Sequence, residues 1–399
     1  MGTSENIRRS LGAVVIVASI CIADHAAAQT VVREQVSNSL GADFAAVRKE
    51  SGRSDRWIGY SFVRRMERGS MVGTFAIGGS DHHVELGDWI AGRVGPSSPK
   101  EAAKRELDNL RDEDEIVEKP VAVLVRVSGS DNQISRVRYM TMSSLFDPDG
   151  LDLHWLGARE DAQSYDLLLA IYKEASSPKL RKSVTYAIGF HDDDDRVVPF
   201  LKNLASSSDE EDVAKAAVYS LGNQSGTSVT TFLADIARSS RPTAIRKSAV
   251  YSLGNREDET SIDALTEIVS DAAVGIPIRK ASLYALANCD APEALATVRA
   301  VATRDTEVEL AKAATYSLSQ VEESSVPMLL EVLRETQHAA VRKAAVYAIG
   351  NVESHDAVEA LKWAVASDYD SEVRKAAVYA LGNIGTDEAR DALKAILSN

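Results

Sequence analysis

A chain of 399 residues with 45% apolar content is long enough for two folded domains. Its formal charge of −14 argues against a nucleic-acid partner, because phosphate binding needs a net basic face. Two cysteines, Cys21 and Cys289, leave little room for a disulfide framework.

The chain opens on a targeting pattern. Arg8 and Arg9 supply a basic start, residues 11–23 an apolar run, and Ala26, Ala27 and Ala28 a small-residue cleavage site. Residues 1–28 therefore read as a signal peptide, the apolar run being short for a bilayer span. The mature protein is expected to be secreted or periplasmic, with no membrane attachment after cleavage. Cys289 would then stand alone, with Asn288 and Asp290 beside it and no base nearby, so it is expected to be buried and inert.

Residues 30–160 have the texture of a small β-rich, α+β domain. Three of the four tryptophans, Trp57, Trp89 and Trp155, lie here. Apolar residues alternate over 121–127 and 134–142 on either side of Ser128-Gly-Ser-Asp-Asn, which predicts a hairpin. Residues 57–63 and 71–77 predict a second pair joined through 64–70. Helices are expected at 41–49 and 99–110, and a solvated acidic loop at 112–115. Asp81, His82, His83, Glu85 and Asp88 are compact enough to consider a metal, although solvated loop residues are the favoured account. Asp147, Asp149 and Asp152 around Gly150 have the start of a calcium-loop pattern without its closing glutamate. The run 191–195 is expected to be polar surface.

From residue 161 onward the sequence repeats. LRKSVTYAIG from Leu180 returns as VAKAAVYSLG from Val213, and again from Ile245, Ile278, Leu310, Val341 and Val373. The intervals are 33, 32, 33, 32, 31 and 32 residues, which marks an array of about seven units. Inside a unit, apolar residues recur at steps of three and four, as in Val373, Ala376, Ala377, Ala380 and Leu381, so each is helical. The stripe is mostly alanine, which brings neighbouring helices close. Gly382 is expected to end its helix in the left-handed conformation. Second helices are predicted near 196–205, 325–333 and 357–365, with Pro199, Pro292 and Pro327 near their starts. A first helix at 161–175 and a lone closing helix at 387–397 complete residues 161–399 as a stack of helix pairs.

The run V-R-K-A-A-V-Y-A-L-G-N resembles the short HEAT-like repeat of the phycobilisome-lyase type, best at 341–350 and 373–382. That resemblance implies an all-α, right-handed α-α solenoid behind the N-terminal domain, and it leaves function open. Trp57-Ile-Gly-Tyr60, the hairpin and His154-Trp-Leu-Gly157 ahead of the repeats resemble a group of secreted bacterial HEAT-repeat proteins, with no activity implied. HEAT-like deoxyhypusine hydroxylases hold iron through His-Glu dipeptides, and this sequence has none. Bilin lyases share the repeat, but an export signal argues against a phycobilisome role.

Every unit places a lysine third and a tyrosine seventh: Lys182 and Tyr186 first, then Lys215 and Tyr219, Lys247 and Tyr251, Lys280 and Tyr284, Lys312 and Tyr316, Lys343 and Tyr347, Lys375 and Tyr379. Residues four apart are neighbours on a helix, so stacking would align them in rows. Tyrosine supplies rigid amphipathic contact area and lysine steers acidic partners, which makes the last six pairs a candidate surface for a protein or peptide. The competing reading makes the tyrosines framework and the lysines a solvated face. Asn223, Asn255, Asn288, Asn351 and Asn383 follow four residues later and are expected to cap helix ends. The function expected is a non-catalytic scaffold with no cofactor, metal or nucleic acid. The alternative is an enzyme or metal-dependent binder centred on His82, His83 and Glu85.

Overall fold

The structure, a computed structural model, describes residues 30–50, 54–67, 84–92, 116–192, 194–256, 258–289, 291–304, 306–321 and 325–398. The expected signal segment 1–28, His82 and His83, and the expectations for residues 71–77, 99–110 and 112–115 lie outside these residues. An α+β region containing strands between residues 31 and 158 is followed by α-helices to the end of the chain. Two compact units divide it, Met1–Phe200 and Leu201–Asn399.

The first unit is built on a five-stranded sheet. Its strands are β1 (Val31–Arg33), β2 (Arg56–Glu67), β4 (Ile116–Val127), β5 (Ile134–Thr141) and β7 (Asp152–Ala158), in the order β1-β7-β2-β4-β5. β7 runs parallel to β1 and β2, while β4 runs antiparallel to its two neighbours, β2 and β5. The expected hairpin is thus β4–β5. A two-stranded sheet joins β3 (Val84–Glu85) and β6 (Leu145–Phe146).

Continuous burial along β4 has a cause. Ala122 and Leu124 join Trp57, Met140, Leu153 and Trp155 under Trp89 of helix α2 (Leu86–Ile90). Val121, Val123 and Val125 share the opposite side with Ile58, Tyr60 and Phe62, all at most 1% exposed. Helices α1 (Leu40–Lys49), α3 (Asp161–Glu174) and α4 (Pro178–Ile188) pack on this sheet as well. A strand covered on both faces loses its polar alternation.

Gly59 explains its motif. Paired with Trp155, it would place a Cβ 2.7 Å from Leu124 Cδ2 and 3.0 Å from Trp155 Cε3. Only hydrogen leaves room for the indole to cross the strand.

Two expectations change here. Residues 64–70 were expected to be a connection, yet β2 continues through Glu67, which pairs with Ile116. Ladder bonds satisfy the backbone regardless of side-chain charge, and Arg65 lies opposite Glu118. His191 was expected on the surface and is instead fully buried. Its ring stacks on Phe62 at 4.2 Å, and Nε2 accepts from the Ser164 hydroxyl at 2.8 Å. Nδ1 donates to the Ala187 and Ile188 carbonyls, both at 3.1 Å, and Tyr60 donates to Ser164 at 3.0 Å. Burial pushes the imidazole pKa down to about 4, so it is neutral. A neutral ring satisfied at both nitrogens can sit in a core, which a polar neighbourhood in sequence conceals.

The second unit is a stack of helices in two alternating rows. One row is α7 (Thr227–Arg238), α9 (Glu259–Ser270), α11 (Pro292–Arg304), α13 (Ser325–Glu335) and α15 (His355–Ser367). The other is α6 (Glu211–Gly222), α8 (Thr243–Gly254), α10 (Ile276–Ala287), α12 (Val308–Leu318), α14 (Ala339–Ile349) and α16 (Ser371–Ile384). Helix α5 (Val197–Ser207) crosses the division and α17 (Asp387–Leu397) closes the array. Each row packs on itself, α6 on α8 on α10 and onward, and each helix on its sequence neighbour.

Caps set the boundaries. Asp258 accepts from Ser261 N, Ser354 from Ala357 N, Asp370 from Glu372 N and Thr386 from Ala389 N. Pro292 opens α11, where a missing N–H costs nothing. Ala216, Ala217, Ala314, Ala345 and Ala377 are fully buried at the close helix contacts. Leu221, Leu253, Leu265, Leu286 and Leu318, also fully buried, supply the larger apolar area, each contributing about 1.5–3 kcal/mol.

The glycine expectation is corrected. α16 runs through Gly382 to Ile384, and Gly385, at φ +79°, is the left-handed terminator. Gly222, Gly254 and Gly350 serve close approach instead. A Cβ on Gly222 would lie 2.8 Å from Ser252 Cβ, and one on Gly350 2.7 Å from Ala380 Cβ. The tenth residue of one unit therefore carries the eighth residue of the next.

Candidate protein-binding face

Helices α6, α8, α10, α12, α14 and α16 turn their alanines, valines and leucines inward, and the seventh position of the unit falls opposite. Tyr219, Tyr251, Tyr284, Tyr316, Tyr347 and Tyr379 are accordingly 43–63% exposed, while their neighbours at the sixth to ninth positions are mostly buried. Six large aromatics half-open to solvent at one repeat position form a regular feature, since exposed aromatics normally occur singly. In the first repeat Tyr186 is more covered than these, so the row described is that of the six later copies.

Lysines accompany them one turn earlier, partly covered at Lys215, Lys247, Lys280 and Lys343 and exposed at Lys312 and Lys375. Their charges are interleaved with acids. Lys215 lies 3.7 Å from both Glu211 and Asp212. Lys280 reaches across to Glu309 of the next unit at 3.0 Å, and Lys312 approaches the same carboxylate at 3.5 Å. Lys375 pairs with Glu372 at 2.8 Å, and Lys343 acts on Glu372 electrostatically. Hydrogen bonding from Lys280, and then the charges of Lys280 and Lys312, hold the Glu309 carboxyl below its ordinary pKa. Lys247 differs, because α8 brings no acid in its first turn. The face is therefore a tyrosine row beside a partly neutralised lysine row. Asn223, Asn255, Asn288, Asn351 and Asn383 are all exposed one turn beyond the tyrosines. Asn288 behaves as expected of a cap, donating Nδ2 to the Tyr284 carbonyl at 3.0 Å.

The arginine at the second position of the unit has a role the sequence reading missed. Arg246 Nε donates to the Ala237 carbonyl at 2.8 Å, and Arg279 Nε to that of Val269 at 2.7 Å. Arg342 Nη1 donates to Thr336 and Gln337, both at 3.1 Å, and Arg374 Nη1 to Asp368 at 2.8 Å. Each carbonyl lies at the C-terminal end of the preceding helix, where acceptors lack partners and the dipole favours a cation. Arg56 performs the same task in the first unit, donating to Val47 and Arg48 at the end of α1. One signal was available: the second position is arginine or alanine and never lysine, as a planar fork with several donors would require.

Other expected sites have different surroundings. Asp149 is held by Arg126 at 3.3 Å and Arg136 at 3.4 Å, and Asp152 accepts from Thr30, so these acids are engaged by protein groups. Glu85 precedes α2 at the end of β3. Cys289 is buried, its Sγ 3.3 Å from the Ala285 carbonyl.

Four stretches, residues 165–254, 199–276, 230–319 and 326–399, match the model of HEAT repeats and together span more than half of the chain. The chain belongs to the HEAT-repeat family. No curated protein matches it. Among solved structures, human deoxyhypusine hydroxylase in complex with glycerol is similar at 20% identity and a TM-score of 0.27, over 56% of this chain and 84% of that one. The complex of CpcE and CpcF of phycocyanin lyase from Nostoc sp. PCC7120 is similar at 18% identity and a TM-score of 0.30, over 59% and 94%. An array of HEAT units suggests a protein-interaction scaffold with protein partners.

Proposed function

We propose that this HEAT-repeat chain is a non-catalytic scaffold that binds a protein or peptide along its lysine- and tyrosine-lined face. The half-exposed tyrosine row, repeated on the six helices of one row of the stack, carries the reading. Tyrosine adds contact area at small entropic cost, and a regular row suits an extended segment that crosses one helix after another. Helix axes spaced about 8–10 Å apart correspond to roughly three residues of extended chain. The interleaved lysines and glutamates then set register more than bulk attraction.

The proposed location is the periplasm or the extracellular space of a bacterium, supported by the basic, apolar and small-residue pattern of residues 1–28. Among the described residues, no helix is long and apolar enough to cross a membrane. The acidic balance supports a partner that is not nucleic acid. A non-catalytic role is supported by the burial of Tyr60, Ser164 and His191, which hold one another out of reach of a substrate.

The test is an affinity capture from an envelope extract. Mature wild type is compared with a variant carrying alanine at Lys247, Tyr251, Lys280 and Tyr284, and both are melted. A partner retained by wild type and lost by an equally stable variant is the expected result. A variant that melts far lower, with nothing captured by either protein, returns the tyrosines to framework and removes the proposal.

A further inference from the structure

At the end of the array lies a cluster that the tyrosine face does not use. His355 opens α15 and Glu359 stands one turn further on, so both project from the same side of that helix. Glu388 comes to meet them from the first turn of α17. His355 Nδ1 is 2.6 Å from Glu388 Oε1, and one ligand atom from each residue lies within 4.8 Å of the other two. It is the one such convergence among the described residues.

Surface ion pairing alone gives little reason for the arrangement. His355 and Glu388 are 70% and 45% exposed, where an isolated pair contributes little. One imidazole and two carboxylates drawn from two helices form instead a recognisable donor set. We infer that His355, Glu359 and Glu388 bind a divalent ion of the zinc type, which ties the closing helix to the last HEAT unit.

The geometry fits with side-chain movement alone. Bonds of about 2.0–2.2 Å to nitrogen and oxygen require the three donors to surround the ion at somewhat shorter mutual distances than 4.8 Å. All three side chains are exposed, so rotamer changes supply that contraction without moving either helix. The ion enters where a proton now joins His355 to Glu388. Glu359 gives up Lys362, whose Nζ is 2.6 Å away and also exposed. A fourth position faces solvent and takes water. The nitrogen donor selects zinc, nickel or cobalt over magnesium and calcium, which prefer oxygen. The ion also cross-links α17 to α15, on which it packs.

The experiment is zinc titration of the mature, tag-free chain by calorimetry, with melts in zinc and in chelator. Wild type should take one equivalent at this site and melt higher in zinc. His355→Ala and Glu388→Gln should each weaken it at least roughly tenfold and abolish the rise. Their metal-free melts should match wild type, since both residues are exposed. A His82→Ala, His83→Ala double variant should retain the site, as should the alanine variant of the tyrosine face. Calcium and magnesium should bind far more weakly. The inference is overturned if wild type takes no zinc, if His355→Ala binds it unchanged, or if the loss follows His82 and His83.

Discussion

Gly254 ends one helix directly against Ala285 of the next unit: a Cβ on Gly254 would lie 2.9 Å from the Ala285 Cβ. Substituting Gly254→Ala forces two helices apart at a fully packed crossing, against a small gain in helix propensity. We expect a net loss of about 1–3 kcal/mol, read as a lower denaturant midpoint. Gly41→Ala is the control, because nothing lies within 4 Å of a Cβ there. Equal effects of the two would reject the close-approach account of the repeat glycines.

Arg342 and Asp368 form a buried pair, each with 2% of its side chain exposed, at 2.8 Å. Arg342 also donates to the Thr336 and Gln337 carbonyls and to the Tyr369 hydroxyl. Arg342→Met takes the guanidinium from a buried carboxylate that otherwise accepts from the Asp370 N–H, and a donor from the Thr336 and Gln337 carbonyls. The expected cost is about 3–5 kcal/mol by chemical unfolding. A loss below about 1 kcal/mol would mean that water reaches Asp368.

Acid should weaken the first unit through His191. Its folded pKa, about 4, lies below the ordinary 6.5, so the unfolded chain binds the extra proton first. The contribution is whole above pH 6.5 and falls away as pH drops toward 4. Its slope reaches at most about 1.4 kcal/mol per pH unit. Unfolding of wild type and His191→Gln between pH 7 and 4 checks it. The variant should lose that part of the slope, and parallel curves would exclude His191 as its source.

Glu309 lies between Lys280 and Lys312 and masks both. Glu309→Gln should leave the melt unchanged, because the carboxylate is exposed. With an acidic peptide as probe, association should quicken severalfold at low salt and slow more steeply as salt rises. Stopped-flow measurement of both proteins decides. An unchanged rate would mean that the lysine row does not face the bound segment.

Much of the second unit could be read directly from spacing. The 31–33 residue interval, the alanine stripe and the prolines located nearly every helix, and the Lys–Tyr offset placed both residues on the solvent side. Less of the first unit could be read this way. The strand β2 was cut short at Arg64 because charges masked a ladder that depends only on backbone groups. His191 was misplaced because its partners, Phe62 and Ser164, are far away in sequence.

Local periodicity was thus enough to determine helix type, register and which side of each helix meets water, because these follow from residues three and four apart. Only the tertiary structure decided what the repeated residues do. The glycine is a crossing point, the second-position arginine closes the preceding helix, and Lys280 shares Glu309 with the next unit. His355 meets Glu388 by the same logic. Each depends on groups about one repeat apart or on neighbouring helices, and no pattern inside a single helix encodes the distance between them.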